Sequence, residues 1–365
     1  MIPYDVIIAG ASFAGLAAAQ RVGGRVLLLD REPIGAGVTS ACAAPLAIIE
    51  AMGGSGAVQQ IHDRLILHTP HRSTPWPLPE PFCTFDYARF CGLAFAATGA
   101  EFRRTTVAGR DGNSVLTGEG EISARWLIDA TGWRAALAAS GDGPGPPLRP
   151  PRSRRPPGAR RAPGRFVAFG IESELPADVG PGLHFYFLPE VRDGYAWAFP
   201  CGGAVRFGVL SYFGRTKLLP GLTRFMTRFG LRPGPLHGGY LASGFRDPVA
   251  DGVFVAGDAS GQCLPLTGEG IRTAILAGYR VGDLLRDVLD GRRTFEDAAA
   301  DYCGFVAGAR RAYRALLWGN LALLAMPLRL TGAAAAALSR PGPLGRFMRH
   351  YLGIFAGSAR AAAVQ

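Results

Sequence analysis

Three stretches of the chain carry residue types and spacings that can do chemistry. The first is YDVIIAGASFAGLAAAQRVGGRVLLLDRE, residues 4–32. An apolar, β-branched run at 5–9 reads as a buried strand and leads into Gly10, Ala11, Ser12, Phe13, Ala14 and Gly15. An alanine-rich helix follows over 16–22, and a second buried strand over 25–29 ends at Asp30 and Arg31. In such a β-α-β unit Gly10 permits a tight turn and Gly15 lets the helix lie close to the strand. The helix N-terminus presents N–H groups and a positive dipole end to a pyrophosphate, and Asp30 can accept from a ribose hydroxyl. Ser12 stands where the middle glycine of G-x-G-x-x-G usually does. The fingerprint points to a dinucleotide and is compatible with NAD or FAD.

The second stretch lies more than two hundred residues later, GVFVAGDASGQCLPLTGEGIRTAILAGYRVGDLL at 252–285. A buried strand over 253–256 runs into Gly257 and Asp258, a loop holding Pro265, Thr267, Gly268 and Glu269, and a helix from Gly270 and Ile271. FAD is too long for one β-α-β unit, so a second segment must return to the same sheet. Asp258 can bond the ribitol hydroxyls or a phosphate-bridging water. Pro265 and Gly268 shape a loop at the flavin edge, and the helix N-terminus stabilises negative charge near N1 and the C2 carbonyl of a reduced flavin. A second mononucleotide site is the alternative, but no further acid is spaced for another ribose. The third stretch, RWLIDATGWRAAL at 125–137, is again a buried strand ending in Asp129-Ala130-Thr131-Gly132.

With these residues in this order the chain resembles flavoproteins of the p-hydroxybenzoate-hydroxylase-type fold. Within that fold, GYAWAFP at 194–200 and TSACAAPLAIIEAMG at 39–53 resemble the geranylgeranyl reductase family. The resemblance covers roughly residues 4–290 and implies saturation of isoprenoid double bonds by reduced FAD. A W-x-W-x-I-P variant of the aromatic motif marks flavin-dependent halogenases, but those need a lysine near the flavin and Lys217 is the only lysine. Alternation along a strand puts Tyr195, Trp197 and Phe199 on one face, an apolar wall suited to a prenyl chain. Cys42, in the segment resembling the family's cysteine-containing one, and Tyr195 are the candidate proton donors. The family's Asp-Arg pair reads TFDYARFC here, with Tyr87 in place of the arginine and Arg89 as its possible substitute for a cofactor contact. The chain has no second dinucleotide fingerprint, so the electron donor is NAD(P)H bound transiently or a ferredoxin-like protein. Two alternatives stay open: an FAD-dependent monooxygenase acting on an aromatic or polyketide substrate, and a non-enzymatic flavin or lipid binder.

The expected fold class is α/β: a discontinuous Rossmann-like FAD-binding domain (1–50, 82–140 and 245–290), a mixed or antiparallel β-sheet substrate domain (51–81 and 164–244), and a C-terminal helical region (291–365). Between them 141–163 reads as a flexible Arg/Pro-rich loop. The chain has 365 residues and a formal charge of +11. Seven arginines (Arg149, Arg152, Arg154, Arg155, Arg160, Arg161, Arg165) fall in 141–165, so compositional bias accounts for the charge and no nucleic-acid partner is expected. Six cysteines without CxxC spacing suggest reduced thiols and no metal. Asp5 interrupts the first apolar run, so a leader is not expected. The apolar stretch 315–330 is short for a bilayer and is broken by Pro327, but arginines flank it. The expected setting is cytoplasmic, with peripheral contact at the inner face of the membrane as a second reading.

Overall fold

The computed structural model describes residues 4–39, 41–138, 166–191 and 193–356. The stretch expected as an arginine-rich loop lies outside the described residues. Two sheets organise the rest. The first contains β1 (Tyr4–Ala9), β2 (Val26–Asp30), β6 (Glu101–Arg104), β7 (Val107–Asp111), β8 (Ser114–Thr117), β9 (Gly120–Asp129), β15 (Val249–Ala250) and β16 (Val253–Val255). Its parallel order is β16-β9-β1-β2-β6, with β15 antiparallel at one edge and β7 and β8 folded as an antiparallel flap onto β9. Both faces are covered, which is why β1 reads as continuous apolar sequence. Val6, Ile8, Leu28 and Ile128 pack toward the helices, whereas Ile7, Ala9, Leu27 and Leu127 pack with Val115 of the flap.

The second sheet contains β3 (Ala43–Pro45), β4 (Val58–Thr69), β5 (Arg72–Phe85), β10 (Phe166–Pro176), β11 (Leu183–Tyr186), β12 (Gly194–Pro200), β13 (Ala204–Ser211) and β14 (His237–Ser243). Its order is β14-β10-β13-β12-β11-β4-β5-β3, antiparallel except where β11 meets β4. Every residue of β12 is buried. Ala196 and Ala198 pack with Phe207, Leu222 and Phe225 on one face, while Tyr195, Trp197 and Phe199 face the other way.

The helices are α1 (Phe13–Val22), α2 (Leu46–Ala51), α3 (Tyr87–Ala96), α4 (Leu219–Thr227), α5 (Ile271–Leu289), α6 (Phe295–Ala325), α7 (Leu328–Leu338) and α8 (Pro341–Leu352). The contact that positions the site is α1 against α5. A Cβ at Gly278 would lie 2.3 Å from the Ala14 carbonyl oxygen, and one at Gly282 would lie 2.7 Å from that of Ala18. Only glycine at one turn's spacing lets the two helices come this close. The same approach brings Gly257 to Ala14, where a Cβ would be 3.0 Å from the alanine methyl. The first and second glycine-rich stretches therefore meet, although most of the chain separates them.

Helices α6, α7 and α8 cover the aromatic face of the second sheet. Trp76 of β5 donates its indole N–H to the Ala335 carbonyl of α7 at 3.1 Å. Arg272 of α5 donates to the carbonyls of Tyr351, Leu352 and Ile354 at the end of α8. Pro327 ends the long helix, as its missing N–H requires. Among the described residues no helix is long and apolar enough to cross a membrane.

Candidate functional site

At the first turn, Gly10 has φ +106°, and a Cβ there would lie 2.1 Å from the Ala130 carbonyl oxygen. A Cβ at Gly15 would lie 1.8 Å from the Gly10 carbonyl oxygen. The two glycines thus hold strand, turn and helix in one tight cradle. Helix α1 begins after Ser12 with no side-chain cap and no acid in its first turn. Its leading N–H groups are available to an anion. Asp30 accepts from the N–H of Ala11 at 2.8 Å and of Glu32 at 3.0 Å, which fixes its carboxylate at the mouth of the cradle. Arg31 is exposed. Asp129 is fully buried and accepts from Thr131 through both N–H and hydroxyl, and from the N–H of Leu137 and Ala138. It ties down the turn after β9.

At the return segment, Asp258 accepts from the Ala242 N–H at 3.2 Å, and burial pushes its carboxyl up to about 6. The loop that follows is strung between the two layers by side-chain donors. Tyr195 and Tyr212 of the sheet donate to the carbonyls of Thr267 and Leu266. From the helical cover, Tyr313 donates to the Gln262 carbonyl and Asn320 to that of Pro265, the latter at 2.7 Å. Thr267 and Tyr351 share a hydroxyl hydrogen bond of 2.7 Å. Gly268 has φ +68°, a left-handed turn suited to glycine. Helix α5 then starts at Ile271 after Gly270, without a side-chain cap or an acid in its first turn.

Two uncapped helix N-termini, two glycine turns and the carboxylates of Asp30 and Asp258 make up the donor and acceptor set that a long, anionic dinucleotide flavin requires. The residues present fit FAD.

Beside the return loop lies a cavity of about 380 Å³. It is enclosed by the sheet face of Tyr195, Trp197 and Phe199, by loop residues 266–271, and by α7 and α8 with Gly319 and Leu323 of α6. The ring centroids of Tyr195 and Trp197 are 5.9 Å apart, and those of Trp197 and Phe199 6.2 Å. The three rings thus line one wall, as strand alternation predicts. Trp197 stands opposite Gly208 on β13, where a Cβ would strike the indole at 2.0 Å. Gly208 is the space into which the indole lies flat.

The other predicted residues have mixed placements. Cys42 is 1 % exposed with φ +50°, belongs to the core cluster shared with Phe85 and Phe90, and has its thiol pushed up by burial. Its neighbours Ala41 and Ala43 line the cavity. The Tyr195 hydroxyl is on the cavity side but is engaged with the Thr267 carbonyl. Arg89 is exposed, with its guanidinium near Gly56. Tyr87 takes the inner place: its hydroxyl lies 3.0 Å from that of Ser12 in the cradle, and burial raises its phenol. Lys217 is exposed and outside the cavity wall.

Sequence reasoning missed the hydroxyl donors that pin the loop, and it missed Glu172 and His237. Glu172 lines the cavity, accepts from the Trp197 indole N–H at 2.6 Å, and lies 2.9 Å from His237 Nε2. An alternating strand with glutamates at 172 and 174 was the available signal, and it reads as a solvent face.

No family model matches the chain. It is 30% identical over 135 residues to the digeranylgeranylglycerophospholipid reductase of Methanococcus vannielii, and that match spans 33% of each protein, a third of the relative's length. It is 23% identical over 341 residues to digeranylgeranylglycerophospholipid reductase 3 of Methanosphaera stadtmanae, covering 83% of this chain and 82% of that protein. The crystal structure of a geranylgeranyl bacteriochlorophyll reductase-like protein from Thermoplasma acidophilum superposes with a TM-score of 0.78 at 17% identity, over 92% of this chain and 91% of the other. The chain has the fold of the FAD-dependent oxidoreductases and is similar in sequence to digeranylgeranylglycerophospholipid reductases.

Proposed function

We propose that the protein is an FAD-dependent reductase of carbon–carbon double bonds in an isoprenoid lipid or a related apolar intermediate. The observation that carries this reading is the apolar, aromatic-walled cavity set directly against the loop and helix start that fit the flavin ring. Each methylene of a prenyl chain buried there gains about 0.8 kcal/mol, so a chain rather than a polar metabolite is the natural occupant.

The backbone of 10–15 and the start of α1 would hold the pyrophosphate, Asp30 the ribose, Asp258 the ribitol, and residues 265–271 the flavin ring. Bound and reduced, the flavin supplies a hydride. The chain's own residues do the rest. The rings of Trp197 and Phe199 orient the prenyl chain, and α7 and α8 exclude water. The tyrosine-pinned loop fixes the distance between the two sites, and a reduced ring's charge is favoured by the α5 N-terminus. The electron donor we propose is NAD(P)H meeting the flavin transiently, or a ferredoxin-like protein.

A peripheral membrane contact goes with a lipid substrate. From Tyr302 to Ala356 the chain holds seven arginines, all exposed, and no acid. Trp318 is 71 % exposed on the same helical cover. A basic surface with an exposed indole suits an anionic bilayer.

The test is reduction of the purified, FAD-loaded protein without oxygen, followed by mass spectrometry against a panel of prenyl lipids and aromatic acids. A gain of two daltons on a prenyl lipid is expected. A gain of sixteen daltons on an aromatic acid once oxygen is admitted would instead make the protein an oxygenase.

A further inference from the structure

Saturating an alkene forms two C–H bonds, so the cavity must deliver a proton as well as a hydride. An isolated alkene accepts hydride poorly unless protonation leads or accompanies it. The wall of the cavity carries two carboxylates among the described residues, Glu172 and Glu269. They differ in partner. Glu269 is gripped by Arg272 through two bonds of 2.8 and 3.0 Å, and an arginine does not give up its proton. Glu172 is paired with a histidine, which does.

The pairing comes from strand register. His237, Glu172, Gly208 and Trp197 form one row across β14, β10, β13 and β12. Because Gly208 has no side chain, the indole of Trp197 crosses that strand and donates to one oxygen of Glu172. His237 takes the other oxygen. The row grades from inside to outside: the Glu172 side chain is 3 % exposed and that of His237 25 %. The charged and titratable neighbours of Glu172 are Arg206, Cys42 and Cys201. Arg206 is itself held by Glu174 at 2.8 Å.

We propose that Glu172 is the proton donor to the alkene and that His237 reloads it from solvent, with Trp197 fixing the carboxyl's orientation. This rests on the reductase reading above. One alkene carbon takes the Glu172 proton and the other takes the hydride. The carboxylate left behind recovers a proton from His237, and the imidazole recovers one from water.

The test uses the FAD-loaded protein, reduced with dithionite and mixed with a geranylgeranyl-chain glycerolipid in a single turnover. Glu172→Gln should retain flavin and bind the lipid, yet form product at least about 100-fold more slowly. Over repeated turnovers with excess dithionite His237→Ala should be slowed and added imidazole should restore it, while its first turnover keeps the wild-type rate, a split that a merely structural histidine would not show. A second readout needs no turnover. A chain carrying a tertiary ammonium in place of one alkene carbon should bind wild type about tenfold more tightly than Glu172→Gln, while the neutral chain binds both alike. Equal product rates for wild type and Glu172→Gln would overturn the proposal, and so would equal binding of the cationic chain. Wild type without product, but with selective binding of the cationic chain, would keep the acid at Glu172 and remove the reductase reading instead.

Discussion

Asp258 carries a charge where burial disfavours it. Its carboxyl is pushed from the ordinary aspartate value of 3.8 to about 6. A raised carboxyl favours the neutral form in the folded state, so Asp258's own contribution to folding is fully present below pH 3.8 and is lost as pH rises through about 6. The predicted loss is on the order of 2–3 kcal/mol above that pH. Asp258→Asn should therefore raise the Tm of flavin-free protein at pH 8, have little effect near pH 4, and weaken FAD binding at both. Thermal melts at the two pH values, with a flavin titration, measure this. A carboxylate kept at such a cost in the unliganded protein is what a ligand-binding position looks like. At this scale the sequence was readable where a residue's neighbours in space are also its neighbours in the chain. Gly10, Gly15, Asp30 and Asp258 sit on local turns, and the three rings of β12 follow from alternation alone. Glu172 and His237 are 65 residues apart and meet only through sheet register, which single-sequence periodicity does not fix.

Between elements, the α1–α5 crossing is the joint on which the flavin site depends. Gly278→Val would drive a branched side chain into the Ala14 carbonyl, where even a Cβ would stand at 2.3 Å. The expected cost is about 2–4 kcal/mol, with loss of bound flavin, because the two helix starts would separate. Denaturant unfolding and flavin content measure both. Arg272 plays the corresponding part for the cover. It is 5 % exposed at its side chain and joins Glu269 to three carbonyls at the end of α8. Removing it alone, as Arg272→Met, leaves a buried carboxylate unpaired and should cost about 3–5 kcal/mol. The double variant with Glu269→Gln should recover part of that, and limited proteolysis of the C-terminal helices should separate the two. The strand-turn-helix units around Gly10 and Asp258, the strand into Asp129 and the break at Pro327 were legible from apolar runs and breakers. The edge strand Ala43–Pro45, which adds to the second sheet, was not, since three residues carry no period. Nor were the tyrosines that string the return loop between layers, because each arrives from a distant element.

For the whole molecule, the asymmetry of charge is the informative quantity. The net charge of +11 alone fits many partners, and 141–165 holds seven of the arginines, but seven more, all exposed and with no acid among them, lie from Tyr302 to Ala356 on the helices that cover the cavity. The protein should co-sediment with vesicles containing anionic lipid and release them as salt rises, with about 1 kcal/mol per arginine engaged. Reversing Arg329, Arg346 and Arg349 to glutamate should abolish this without affecting flavin content. Equal partition onto neutral and anionic vesicles would remove the contact.

The central claim is that one FAD spans the cradle at Gly10 and the loop at Asp258, next to a cavity made for an apolar chain. The absorbance spectrum of the FAD-reconstituted protein, recorded during titration with a geranylgeranyl lipid, tests it most directly. The account predicts stoichiometric flavin uptake and a saturable shift of the flavin bands as the chain enters, abolished by Trp197→Ala. A protein that stays colourless in excess FAD, or whose flavin bands ignore the lipid, would contradict it.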